Sequence, residues 1–200
     1  DVTVQYSSRN FLVGLAELCD AKNDFEKFVT ILDKNDKIGL DELLEQLSKI
    51  GNGICGAKYK SLIDKLSFLG WEFQPSIDFL KNSFAKINSE SGLKGISDIE
   101  YIYKKFEGSS NLNNTELVFH FHLARGLNYY SGIIWEVVLN KNSEKNKDIS
   151  MGSIGGGGRY ANLTEMFGGR DMSGVGISFG VERIYDIMEE LKLFPQDALK

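Results

Sequence analysis

Hydrophobic and polar positions change their period along this chain, and the period sets the first reading of the fold. Residues 1–6 alternate apolar and polar, which predicts a strand, and residues 11–18 carry the three-and-four spacing of a helix. From Lys22 to Glu107 that helical spacing recurs in segments 24–32, 40–47, 59–69, 77–87 and 96–106. The joints carry the matching signals. Asn23-Asp24 precedes the first segment, Gly39 the second, Pro75-Ser76 opens the fourth, and Gly51-Asn52-Gly53 breaks the chain between. Charges in this stretch are mixed in sign, as on solvated helix faces.

A Gly/Ser/Asn-rich stretch at 108–114 then marks a boundary, and the pattern turns to β. Strands are predicted over 117–123, 133–139, 149–154 and 173–180, with a helix around Leu163 to Phe167 and an amphipathic helix from Val181 onward. The polar, lysine-rich 140–148 reads as a mobile loop without a part in chemistry. The expected class is α+β, in three parts: a strand and helix over 1–21, a helical subdomain over 22–114 and a mixed part over 115–200.

Composition narrows the classes of function. A hydrophobic content of 42% is enough to bury a core, and a net charge of -5 gives no global basic footprint for nucleic acid. Cys19 and Cys55 lie far apart with no Cys/His cluster, so neither a zinc site nor a disulfide framework is expected, and a reducing, cytoplasmic setting is the simplest reading. No apolar run approaches a membrane span. The chain opens on a strand without an initiator methionine, which suggests a piece of a longer protein.

The candidate chemistry lies in the C-terminal part, where Arg125, Arg159 and Arg183 each adjoin a glycine-rich stretch. Glycine lets backbone N–H groups approach a ligand, and a guanidinium fork matches phosphate or carboxylate oxygens. Together these describe an anionic nucleotide site. The run 152–159 lacks the Gly-Lys-Ser/Thr ending of a P-loop, and 174–180 has the wrong spacing for a dinucleotide fingerprint. Packing in a crowded sheet is the other reading of these glycines, and surface pairing with Glu182 or Asp186 is the other reading of Arg183. Tyr129 and Tyr130 point to opposite faces if extended, so one of them faces the cleft. His120 and His122 share a strand face but lack a third ligand, and no metal site is expected.

The run Leu123-Ala124-Arg125-Gly126-Leu127-Asn128-Tyr129-Tyr130-Ser131-Gly132 resembles the histidine-specific signature of histidyl-tRNA synthetases. Gly157-Gly158-Arg159-Tyr160 resembles their second histidine-binding signature, and 174–184 is similar to motif 3 of class II synthetases. The resemblance is strong over 117–190 and implies part of a class II antiparallel sheet flanked by helices, with an all-helical insertion subdomain. It also implies a parent enzyme, a homodimer in the cytoplasm, that activates histidine with ATP, Mg accompanying the nucleotide, and transfers it to tRNA(His). By resemblance, Arg125 contacts the α-phosphate and is the catalytic residue, while Gly180 and Arg183 bind ATP. Tyr129, Tyr130, Gly157, Gly158, Arg159 and Tyr160 bind histidine, and the insertion touches the tRNA acceptor stem.

Asn128 replaces a common aspartate, and Ala161-Asn162 a frequent Asp-Gly. Nothing resembles motif 1, motif 2 or an anticodon-binding domain, so the chain alone is expected to be inactive or nearly so, with a bare sheet edge prone to self-association. The alternative is a non-catalytic relative, such as the regulatory subunit of ATP phosphoribosyltransferase or a tRNA-sensing domain.

Overall fold

The computed structural model describes residues 1–109, 112, 114–124, 130–160, 168–169 and 172–195. Strand β1 (Val2–Ser8) enters helix α1 (Arg9–Leu18) directly. Helices α2 (Phe25–Leu32), α3 (Asn35–Leu47), α4 (Cys55–Phe68), α5 (Phe73–Lys86) and α6 (Glu90–Glu107) follow, within a few residues of the periodic segments. The rest is β2 (Thr115–Phe119), β3 (Ile133–Leu139), β4 (Gly155–Tyr160), β5 (Gly174–Phe179) and α7 (Val181–Glu190).

The strands form one sheet in the order β2-β1-β3-β4-β5, in which β1 and β2 are parallel and the other neighbours antiparallel. Beneath β1 lies α6, where the Tyr6 hydroxyl donates to the Ile99 carbonyl at 3.3 Å. Helix α6 crosses α1 at glycine contacts. A Cβ on Gly14 would fall 2.3 Å from Gly92 Cα, and one on Gly95 would fall 2.2 Å from the Phe11 nitrogen. Side chains there would force the helices apart.

Sheet and helices share one core, in which the fully buried Phe11 ring meets Phe84, Phe119 and Phe121 edge-on. Burying a ring of that size contributes about 1.5–3 kcal/mol. A small second cluster joins Leu139, Ile149 and Ile187. Helix α6 is capped by Ser89, whose Oγ accepts from the Gly92 N–H at 2.9 Å and donates to Glu17 at 2.5 Å. Within α3, Gly39 has φ +74° and breaks the helix, although nothing crowds its Cβ position. Glycine is needed there for its backbone angle rather than for space.

Several expectations are corrected. The strand predicted over 117–123 ends at Phe119, because its partner β1 is about to become α1 and the last ladder bond is His120 N–H to the Tyr6 carbonyl, at 2.9 Å. Phe121 and Leu123 then turn into the core. The strand predicted over 149–154 is irregular: ladder pairing with β3 begins at Gly155, after one bond from the Ile154 N–H to the Val137 carbonyl at 2.8 Å, and Ile149 folds against Leu139 and Ile187 instead. The 140–148 loop is tied down. Asn146 is fully buried and donates to the carbonyls of Asp1 and Asn140, at 2.7 and 3.0 Å. Cys19 and Cys55, distant in sequence, are brought together as two free, buried thiols. The helix predicted around 163–167 lies outside the described residues.

Candidate active site

The site is built on one face of β3, β4 and β5. Ile134, Gly158 and Gly176 stand side by side in register, as do Glu136, Gly156 and Ser178. Alternation along β4 puts Gly156, Gly158 and Tyr160 on this face and sends Arg159 to the other. The glycines make room for tyrosine rings. A Cβ on Gly158 would come within 2.7 Å of Tyr130 Cδ1, and one on Gly174 within 2.4 Å of Tyr160 Cε2. Tyr130 and Tyr160 therefore lie flat on a glycine floor, their centroids 6.4 Å apart and their planes inclined by 32°. Packing and pocket formation, alternatives from sequence, are here one arrangement.

Above this floor opens a cleft of about 960 Å³. Its sheet side presents Tyr130, Glu136, Gly157, Gly180 and Arg183; its helical side presents Glu26, Thr30, Asp33 and Lys37. Glu136 is only 6% exposed and sits in register between Gln5 and Gly156. It also borders a small void of about 20 Å³ with Gln5, Asp33, His120 and His122. Arg183 donates from Nη1 to the Ser153 carbonyl at 2.5 Å and has no carboxylate partner among the described residues. Its guanidinium thus pins the loop before β4 while remaining at the cleft. A cation, two aromatic rings and a buried carboxylate around glycine backbone suit a ligand with anionic and heteroaromatic parts.

The match to known proteins agrees with this geometry. Residues 1–184 match a family model described as histidyl-tRNA synthetase. The chain belongs to the histidyl-tRNA synthetase family. It is 42% identical over 196 residues to a histidine–tRNA ligase of Porphyromonas gingivalis, covering 96% of this chain and 39% of that protein. With the ligase of Christiangramia forsetii the identity is 40%, over 97% of this chain and 40% of the other. The chain thus spans about 40% of the length of these curated relatives.

Among solved structures, histidyl-tRNA synthetase from Nostoc sp. PCC 7120 superposes with a TM-score of 0.78 at 26% identity, covering 98% of this chain and 43% of that one. A Bacillus halodurans structure titled as an ATP phosphoribosyltransferase regulatory subunit/histidyl-tRNA synthetase has a TM-score of 0.64, with 96% of this chain and 44% of that chain covered. At 16% identity it shows a shared fold alone.

Of the residues that the synthetase signatures single out, Tyr130, Gly157, Gly180 and Arg183 line the cleft, and Gly158 and Tyr160 lie against or beside the Tyr130 ring. Arg125 and Tyr129 lie outside the described residues. Arg159 is not brought together with the others. Its side chain runs beneath Gly132 and borders a separate cavity of about 620 Å³ with Tyr6, Tyr101 and Val175. His122 is engaged by a hydroxyl, with Tyr59 Oη 2.6 Å from its Nδ1. Among the described residues no group of three or more His, Cys, Asp or Glu side chains gathers to hold a metal ion. In addition, no helix among the described residues is long and apolar enough to cross a membrane.

Sequence reasoning missed Glu136 and the wall formed by Glu26, Thr30, Asp33 and Lys37. Glu136 had a signal, as the one charged residue in the otherwise apolar 133–139. The helical wall had none, because only the tertiary fold carries α2 and α3 to the sheet.

Proposed function

We propose that the protein containing this chain activates histidine with ATP and transfers the histidyl group to tRNA(His). A carboxylate oxygen of histidine attacks the α-phosphorus, the bond to the bridging oxygen of the β-phosphate breaks, and pyrophosphate leaves with the electron pair. A terminal ribose hydroxyl of the tRNA then attacks the histidyl carbonyl, gives up its proton and displaces AMP. Both steps develop negative charge on oxygen, which positioned guanidinium groups stabilise.

In this reading Arg125 acts on the α-phosphate, and Gly180 and Arg183 bind the nucleotide. Tyr129, Tyr130 and Tyr160 border the histidine side chain over Gly157 and Gly158, while Glu136 gives the floor a negative potential that suits a cationic amino acid. Mg would enter with ATP. Arg159, on the opposite face, is given no contact with substrate. Residues 22–114 form an insertion that contacts the tRNA acceptor stem, the parent is a cytoplasmic homodimer, and the isolated chain has little or no activity.

The observation that carries this reading is Tyr130, resting on Gly158 and beside the Tyr160 ring, in the cleft that Arg183 also lines. The test is histidine-dependent ATP–pyrophosphate exchange by the full-length protein, beside Arg125→Ala and Arg183→Ala. Exchange that falls at least about a hundredfold with Arg125→Ala supports the role of that arginine. A folded full-length protein without exchange would overturn the catalytic reading in favour of a regulatory relative.

A further inference from the structure

We propose that Lys37, carried by the helical unit, is a phosphate-binding cation of the nucleotide cleft. The inference rests on reading the cleft as an ATP site and adds to it a residue outside the signatures. Among the described residues that line the cleft, Arg183 and Lys37 are the only cations, against the acids Glu26, Asp33 and Glu136. A polyphosphate carries several negative charges into that mixture and needs more than one positive partner.

Lys37 is free to supply one. It is exposed and has no ion pair among the described residues. Several other cations of the helical unit are engaged, as with Lys49 and Glu45 at 2.9 Å, or Lys60 and Asp64 at 2.6 Å. Arg9 is likewise committed to Glu26, at 3.1 Å.

The backbone beneath Lys37 is fixed rather than loose. Leu32 is 1% exposed, and Ile38 packs against the same core, so the chain is anchored on both sides of the lysine. The N–H groups of Lys37 and Ile38 both donate to the Lys34 carbonyl, at 2.8 and 3.1 Å, which closes one turn. Gly39, at φ +74°, then redirects the chain into the rest of α3. A side chain on such an anchored turn loses less conformational freedom on binding than one on a mobile loop. A polyphosphate held between Arg183 and Lys37 would also bridge the sheet to the helical unit, coupling nucleotide binding to the placement of that unit.

The experiment uses the full-length protein with Lys37→Ala, Lys37→Glu and Lys37→Arg, in pyrophosphate exchange with ATP and histidine varied separately. Lys37→Ala is expected to raise KM for ATP by about five- to tenfold with KM for histidine unchanged and kcat within about twofold. Lys37→Glu should raise it further, and Lys37→Arg should restore it to within about twofold. Calorimetric titration with ATP on the same proteins separates this inference from the proposed activity. Weaker ATP binding by Lys37→Ala in a protein without exchange would keep the inference while removing the activity. Unchanged ATP binding and KM in both Lys37→Ala and Lys37→Glu would overturn the inference whatever the activity.

Discussion

The hydroxyl of Tyr59 on α4 lies 2.6 Å from Nδ1 of His122, three positions before Arg125. Tyr59 is fully buried, against Phe28 and Phe121, while His122 is half-buried, so the bond is partly shielded from water. It ties the middle of the helical unit to the segment that leads into the histidine signature. Tyr59→Phe keeps the ring and removes the bond, and is expected to cost about 1–2 kcal/mol. The midpoint of urea unfolding should fall while the m-value stays constant. An unchanged midpoint would show that the contact contributes nothing to stability.

The glycine floor predicts graded costs. At Gly157 a Cβ would sit 2.0 Å from the Gly176 carbonyl oxygen, a backbone atom of the neighbouring strand. Gly157→Ala must therefore separate β4 from β5, and loss of folded protein is expected. At Gly174 the obstacle is the ring of Tyr160, which can tilt. Gly174→Ala is expected to cost about 1–3 kcal/mol and to disturb histidine binding more than ATP binding. Comparison of soluble yield and of the two KM values in the full-length protein checks both.

Glu17 gives a prediction about acid. Burial pushes its carboxyl up, but hydrogen bonds from Lys22, at 2.7 Å, and Ser89, at 2.5 Å, bring it below the ordinary carboxylate value. A carboxyl with a depressed folded value stabilises the native state fully above its unfolded pKa of about 4.3. The contribution is lost as pH falls through that value toward the folded one. Glu17→Gln should therefore lower stability at pH 7 and flatten its pH dependence below about pH 5. Ser89→Ala removes a partner of Glu17 together with the α6 cap and should cost about 1 kcal/mol at pH 7. Thermal melts across pH 3–7 would show the effect, and parallel curves for Glu17→Gln and the parent would refute it.

The outer side of β5 predicts association. Val175, Ile177 and Phe179 are 67, 56 and 61% exposed in alternate positions on an edge strand. A flat apolar edge of this kind pairs readily with another chain. The 200-residue chain by itself should self-associate in light scattering at micromolar concentration, and Ile177→Lys should reduce this. A monomer at all concentrations would count against it.

Sequence periodicity identified the elements whose partners are local or repetitive. The three-and-four spacing of 24–106 marks helices because each buries one stripe, and that stripe is visible whatever it packs against. The run 117–123 looked like one strand because aromatic and apolar residues suit both a strand and a buried turn. Only the departure of β1 into α1 ends the ladder at Phe119. The approach of Cys19, just after α1, to Cys55 at the start of α4 arises within the shared core, which no local pattern encodes. The placement of Arg159 was within reach of the sequence. Period-two alternation already puts it opposite Gly158 and Tyr160, whatever its neighbours suggest about chemistry.

The parallel pairing of β1 with β2 has a kinetic consequence. It joins residues such as Thr3 and Glu116, which are 113 positions apart in the chain. Closing so long a loop costs about 2 kcal/mol more entropy than closing one of about ten residues. The intervening helices can form locally first, and docking of α6 on α1 brings the two strand sequences close before either has a ladder to join. Sheet formation is therefore expected to follow helix assembly on the route to the native state. Substitutions at the Gly14–Gly92 crossing should accordingly slow folding, whereas those on β5 should mainly speed unfolding.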